Sequence, residues 1–152
     1  SVLLLAAFGV LAAPATAQTV EAQAQSGRQA SAAKLRAIVK YGVGIDAIDH
    51  TMLYDAFTHT PVYMLEALGI AQPGEGTSFF SSGRAAPGGD FPINTSGGML
   101  SESYMQSWNH QVEAVRQLRH EAGRRQVADV QSSMFCHHGS GGAFSIMYRR
   151  GN

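Results

Sequence analysis

Residues 2–13 form a run of twelve positions without a charge. Its first part, 2–8, has the continuous apolar character of a central strand buried on both faces. The run is followed by Pro14-Ala15-Thr16-Ala17-Gln18, whose small residues stand two apart, so it also has the core and cleavage site of a secretory signal. It is too short to cross a bilayer, which takes about 20 apolar residues. A signal also carries a basic segment ahead of its apolar core, and here the run follows directly on Ser1. Positions 19–31, rich in Gln, Ala and Ser, predict a polar loop.

The period then becomes helical. Ala33, Leu35, Ala37, Ile38, Val39 and Tyr41 predict a helix over 30–41, stopped by Gly42 and Gly44. Residues 48–57, apolar and aromatic, predict a strand. Thr60 as cap and Pro61 at the first helical position predict a helix through Leu65 and Leu68 to Gly69. The stretch 71–89, punctuated by Pro73-Gly74, Gly76, Gly83 and Pro87-Gly88-Gly89, predicts a long loop of the kind that carries function. Residues 91–95 predict a short extended piece. The best helical pattern covers 102–121: Met105, Trp108, Val112, Val115 and Leu118 share a stripe, while Glu113, Arg116, Arg119 and Glu121 lie elsewhere, and Gly123 is the stop. Residues 127–136 and 143–148 predict two strands joined as a hairpin through His137-His138-Gly139-Ser140-Gly141-Gly142. This order predicts one α/β domain over 1–152, a mixed sheet with helices packed on its faces.

Eleven Lys and Arg balance eleven Asp and Glu. That excludes a non-specific nucleic-acid binder, which needs an excess of cations. Charged residues make up 14% of the chain, below the roughly 25% of ordinary soluble domains, so the surface is thinly charged or partly covered by a partner. Seventeen glycines point to tight turns and close backbone approaches. Cys136 is the single cysteine, which excludes an intramolecular disulfide and favours a reducing compartment. The expectation is a cytoplasmic protein with no membrane or nucleic-acid partner.

Three clusters could carry chemistry, all at strand ends or helix starts, where α/β sheets present their sites. The first is Tyr54-Asp55-Ala56-Phe57-Thr58-His59. Its plain alternative has Tyr54 and Phe57 packing, Asp55 making a turn hydrogen bond and His59 in solvent. The second runs from Gly88 through Pro92-Ile93-Asn94-Thr95-Ser96-Gly97-Gly98 to Tyr104. Its glycines let backbone amides approach a ligand oxygen, and a helix start comes directly after them. It does not match the phosphate-cradling GxxxxGK[ST] pattern, nor does a GxGxxG open a helix after a strand. The third is Cys136-His137-His138-Gly139-Ser140-Gly141-Gly142. One Cys and two sequential His lack the paired spacing of a zinc site, so no metal is expected. A thiol beside an imidazole can be a nucleophile or acid/base, and equally an inert buried thiol. His110 and His120 predict surface residues, Trp108 core or interface. The Arg116, Arg119, Arg124 and Arg125 group predicts a solvated face.

In order and spacing these clusters resemble the C-terminal half of the thiolase superfamily, nearest its lipid-transfer and sterol-carrier type. The resemblance covers about 45–150, and Pro92-Ile93-Asn94-Thr95-Ser96-Gly97-Gly98 is its most specific piece. It implies a mixed five-stranded sheet, places 2–8 as the first strand rather than a signal, and leaves the whole N-terminal thiolase half missing. Tyr54-Asp55-Ala56-Phe57 matches the Asn-Glu-Ala-Phe or His-Asp-Cys-Phe box that helps form an oxyanion hole. Tyr104 stands where the Gly-His-Pro loop supplies a histidine. Cys136, with Gly139, Gly141 and Gly142, matches the Cys-x-Gly box whose cysteine is the acid/base of Claisen condensation, and His137 fills the variable place. The resemblance implies an acyl-CoA enzyme making or breaking carbon–carbon bonds, of acetyl-CoA acetyltransferase or lipid-transfer type, with catalytic Tyr104, Cys136, Tyr54 and His137. Asp55, Asn94, Gly97, Gly98 and Gly141 would bind substrate, acyl-CoA being substrate with no other cofactor. Tyrosines at positions 54 and 104 resemble the aldolase branch, which cleaves β-hydroxyacyl-CoA side chains together with a small OB-fold partner. There Tyr104, with Tyr54, would handle the proton of the β-hydroxyl or enolate while the Gly97 and Gly98 amides hold the thioester oxygen. The resemblance also implies a homodimer. A non-catalytic fragment of the same fold is the third reading.

Overall fold

A computed structural model describes residues 44–139 and 142–151. The strand expected over 2–8, its signal alternative, the helix expected over 30–41, and Gly141 lie outside the described residues. The sheet has three strands, β1 (His50–Leu53), β2 (Ser132–Gly139) and β3 (Gly142–Arg149), in the order β1-β2-β3. β1 runs parallel to β2, with His50 opposite Ser133, and β2 runs antiparallel to β3, with His137 opposite Phe144. The expected mixed sheet and terminal hairpin are therefore present. Five strands are not seen among the described residues. The piece 91–95 makes only one parallel bridge, Ile93 to Thr51, because Pro92 has no N–H to give and Asn94 turns the backbone at φ 46.

Helix α1 (His59–Leu68) begins one residue ahead of the expected Thr60 cap and ends on Gly69, whose left-handed φ of 76 lets its N–H close on Glu66 and Leu65. A short helix, α2 (Gly76–Ser81), interrupts the loop expected over 71–89. Met64, Leu65, Leu68 and Phe79 from these helices close over Leu53, Met134 and Cys136 to form the main core on one face of the sheet. Each large side chain buried there contributes roughly 1.5–3 kcal/mol. Of the helix expected over 102–121 only α4 (Trp108–Leu118) forms; a single turn, α3 (Gly98–Ser101), precedes the expected start, and residues 102–107 are non-helical, with Gln106 and Ser107 at φ 48 and 76. No helix among the described residues is long and apolar enough to cross a membrane.

Helix α4 covers the opposite face of the sheet, and it is turned over relative to its apolar stripe. Asn109, His110, Glu113, Ala114, Gln117 and Leu118 are buried, while Trp108 is 64% exposed and Val112 and Val115 also face out. The buried polar residues face inward because partners wait there, and buried polar groups persist where they are hydrogen-bonded. Glu113 accepts from Thr95 at 2.9 Å, from Gln117 at 3.1 Å and from Arg125 at 2.9 Å. Burial pushes the Glu113 carboxyl up, but the bonds from Arg125, Thr95 and Gln117 outweigh it and hold the group below its ordinary range. Arg125 is thereby taken out of the expected solvated arginine face.

His50 closes this network from β1. Its Nε2 meets Thr95 Oγ1 at 3.0 Å and its Nδ1 meets Ser133 Oγ at 2.8 Å. Since the one Thr95 proton goes to Glu113, His50 donates from Nε2 and accepts at Nδ1, the neutral ring. Burial pushes its pKa from 6.5 down to about 4, against the pull of Glu113. The unfolded chain takes up this proton first, so the contribution to stability is complete above pH 6.5 and falls as pH drops toward 4. The expected loss over that window is roughly 3 kcal/mol. Urea midpoints measured across it should fall in the wild type and fall distinctly less in His50→Gln.

Candidate active site

The site begins where β1 stops. Asn94 lies beside Leu53 and bonds its backbone as a neighbouring strand would: Leu53 N–H donates to Asn94 Oδ1 at 2.7 Å, and Asn94 Nδ2 donates to the Leu53 carbonyl at 2.9 Å. The Tyr54 N–H still reaches the Cys136 carbonyl at 2.9 Å, so Tyr54 leaves the sheet edge with its ring on the α4 side. There it packs against His137, ring centres 4.3 Å apart, and His137 in turn stacks on Phe144 at 5.0 Å and 14°. Gly139 makes room for this imidazole, since a Cβ there would stand 3.0 Å from His137 Cε1.

Tyr54, Tyr104, Gln106, Gln111, His137 and Phe144 line a cleft of about 280 Å³, with Ser107 and Phe135 in its wall. Three of the four expected catalytic residues therefore meet at one place. The Tyr104 ring is 68% exposed at the rim, and its hydroxyl faces that of Tyr54. Burial raises the Tyr54 phenol above its ordinary pKa of 10.0, and the bond to Tyr104 and the charge of Asp55 raise it further. At neutral pH Tyr54 keeps its proton. The His137 ring is held below its ordinary value of 6.5, by burial first and then by His138, which leaves it neutral.

The fourth residue lies elsewhere. Side chains alternate along β2, so Phe135 and His137 face α4 while Met134 and Cys136 face α1 and α2. Cys136 is fully buried among core side chains, with Ser145 Oγ at 3.0 Å from its sulfur, and burial pushes its pKa up to about 12. A thiol held protonated in the core has the character of the inert alternative.

The glycine-rich turn is also built differently from the expectation. Asp55 is buried and takes the amides of Met99 at 3.0 Å and Leu100 at 3.4 Å. Its Oδ1 also meets His110 Nε2 at 2.8 Å. Burial pushes the Asp55 carboxyl up, but His110 and the two amides prevail and hold it low. The Gly97 amide is given to the Asn94 carbonyl at 2.7 Å and that of Gly98 to Ser96 Oγ at 3.3 Å. Asp55, Asn94, Gly97 and Gly98 thus build the turn leading to Tyr104, with the amides of Asn94, Gly97 and Gly98 engaged inside the protein.

Two residues of this region were not anticipated. His110, expected at the surface, is fully buried against Asp55, whereas His120 is exposed. Gln111 reaches the cleft from α4, and its Oε1 accepts from the Tyr148 hydroxyl at 2.8 Å. That bond turns its amide nitrogen into the donor available to a ligand. Neither stands out in the sequence, because a glutamine or histidine on a helix announces nothing until its neighbours are known. Among the described residues no group of three or more His, Cys, Asp and Glu could hold a metal ion.

Residues 12–148 match the family described as thiolase C-terminal domain-like. The chain is 43% identical over 72 residues to 17-hydroxy-3-oxo-4-pregnene-20-carboxyl-CoA lyase of Mycobacterium tuberculosis, covering 47% of the chain and 19% of that protein. It is 40% identical over 78 residues to the steroid side-chain-cleaving aldolase of Thermomonospora curvata, covering 51% of the chain and 20% of the relative. Sterol carrier protein 2 of Rattus norvegicus is 33% identical over 116 residues, 74% of the chain and 21% of the relative. A solved Ltp2-ChsH2(DUF35) aldolase superposes with a TM-score of 0.69 at 31% identity, covering 79% of the chain and 32% of that structure. The chain thus spans about a fifth of the length of these curated relatives. The match over 12–148, on a mixed sheet whose strand ends bring Tyr54 and His137 together with Tyr104, places the chain in the thiolase C-terminal domain-like family.

Proposed function

We propose that this domain, within its full-length protein, cleaves β-hydroxyacyl-CoA thioesters by a retro-aldol reaction. The observation that carries the reading is the facing pair of phenols, Tyr54 and Tyr104, over one cleft. Retro-aldol cleavage needs a proton removed from the β-hydroxyl and one delivered to the α-carbon. A pair of facing phenols can do both in a relay. The β-hydroxyl proton passes to Tyr54 oxygen, Tyr54 passes its own to Tyr104, and Tyr104 gives its proton to the α-carbon. The bond between the α- and β-carbons breaks, and its electron pair moves through the thioester enolate onto the α-carbon. The products are a ketone or aldehyde and a shortened acyl-CoA, both tyrosines end protonated, and no oxidant or further cofactor enters. Gln111 Nε2, oriented by Tyr148, donates to the thioester oxygen as negative charge develops there. His137 holds the Tyr54 ring in place from one side.

Relatives named as a steroid side-chain-cleaving aldolase and a pregnene-carboxyl-CoA lyase support this chemistry. The reading extends to a missing N-terminal half, a homodimer in the cytoplasm and a DUF35-type partner, since the solved aldolase is named with one. The outward stripe of Trp108, Val112 and Val115 supports a domain that works inside a larger assembly. Claisen chemistry of acetyl-CoA acetyltransferase type is the competing reading, and it would run through Cys136. Two probes separate them in the full-length protein copurified with its partner: 17-hydroxy-3-oxo-4-pregnene-20-carboxyl-CoA for retro-aldol cleavage, and acetoacetyl-CoA for thiolysis, which needs a β-ketone. We expect release of the 17-ketone, and we expect Cys136→Ala to keep turnover within about threefold while costing about 1 kcal/mol of stability. No release of the 17-ketone, together with CoA-dependent thiolysis of acetoacetyl-CoA that disappears in Cys136→Ala, would establish the Claisen reading instead.

A further inference from the structure

We infer that Asp55 and His110 are positioning residues, a buried pair that fixes Tyr104 against Tyr54; the inference rests on the retro-aldol reading for its catalytic consequence. The segment that carries Tyr104 is exposed from Leu100 to Gln106 and contains only one turn of helix. Left to itself it would wander. Its two ends, however, are held by one chain of hydrogen bonds. At the near end Asp55 grips the amides of Met99 and Leu100. From Asp55 the chain passes to His110 Nε2 at 2.8 Å, and His110 Nδ1 faces Asn109 Oδ1 at 3.2 Å. Asn109 Nδ2 then donates to Glu102 Oε2 at 3.0 Å, two residues before Tyr104, and Ser96 Oγ donates to the same oxygen at 3.2 Å. The far end enters α4 through Gln106 and Ser107, both left-handed, a backbone state that persists where the surroundings over-determine it.

Stability alone does not explain a buried carboxylate and imidazole here, because a well-packed apolar pair serves a core equally well. The position of the pair does explain it. Asp55 is the chain neighbour of Tyr54, and the His110 ring lies 6.4 Å from the Tyr54 ring. The carboxylate that grips the Tyr104 segment is therefore rigidly connected to the other phenol. A displacement of about 1 Å between reacting groups can cost a hundredfold in rate.

The test uses His110→Leu and His110→Gln in the full-length protein with its partner, alongside Tyr104→Phe. The probe is 17-hydroxy-3-oxo-4-pregnene-20-carboxyl-CoA. His110→Leu should lose about a hundredfold in kcat at unchanged KM, and His110→Gln, which keeps a donor toward Asp55, should recover most of it. A second readout does not depend on turnover: the ionisation of Tyr54, followed by NMR of ring-labelled tyrosine and assigned by its absence in Tyr54→Phe. Its midpoint should fall in His110→Leu, in the same direction as in Tyr104→Phe, because Tyr104 no longer meets it. A Tyr54 midpoint that stays at the wild-type value in His110→Leu overturns the positioning role, and so do equal kcat losses in Leu and Gln. Full turnover in Tyr104→Phe would instead remove the retro-aldol reading, while the Tyr54 titration still decides whether the pair holds Tyr104.

Discussion

Tyr104→Phe should lower kcat for the β-hydroxyacyl-CoA probe by about 10²–10⁴, the range that positioned proton transfer supplies. Its thermal midpoint should stay where it is. The ring is 68% exposed, and removal of one rim hydroxyl leaves the core untouched. Tyr54→Phe should fall in the same range, and the double variant should be little worse than either single one. Residues that act as one unit are non-additive, because breaking a relay at one link already stops it. Two separate, multiplying losses would show that the phenols act independently. KM offers a further check, since hydroxyls used only during bond cleavage should leave substrate binding nearly unchanged. The measurement is a steady-state comparison of the four proteins, each in full-length form with its partner.

The spacing of motifs carries much of this site, and the parity of one strand decides the rest. Tyr54 and Tyr104 are identifiable because each replaces a characteristic residue of a recognisable box. The hairpin of β2 and β3 is written in its flanking glycines and alternating side chains. Cys136 and His137, adjacent in sequence, fall on opposite faces of β2, and which of them faces α4 depends on register against β1 and on nothing local. Helix α4 is hidden for another reason. Its apolar stripe is real, yet Trp108, Val112 and Val115 look outward and only Leu118 of the helix's stripe is buried, because the inner face meets Asp55, Thr95 and Arg125, which come from outside the helix. Periodicity identifies two faces and leaves open which one the domain covers. The start of the long predicted helix fails locally instead: Gln106 and Ser107 carry no glycine or proline to warn of a break, and their left-handed backbone is set by what holds the segment on either side.

Gly98→Ala should destabilise the domain by about 3 kcal/mol or more, and most of the loss should trace to Asp55. The glycine sits at φ 63, and a Cβ placed there would lie 2.1 Å from Asp55 Oδ2 and 2.7 Å from Asp55 Cγ. Left-handed backbone alone costs an L-residue about 1–2 kcal/mol. Gly74 isolates that cost: it has φ 89 and open space around the would-be Cβ, so Gly74→Ala should lose only the backbone part. The excess at position 98 comes from the carboxylate, which must retreat and release the Met99 amide and His110 together. That makes the two sites energetically coupled. Asp55→Ala alone should be costly because it strands those donors, yet Gly98→Ala added to it should cost little more than Gly74→Ala does. Urea midpoints for the four proteins of the cycle measure this directly. Strict additivity between positions 55 and 98 would mean that the turn accommodates the methyl group without moving the carboxylate. A favourable coupling of about 1–3 kcal/mol would show that the absent side chain at Gly98 is what admits Asp55 to the amides beneath Tyr104.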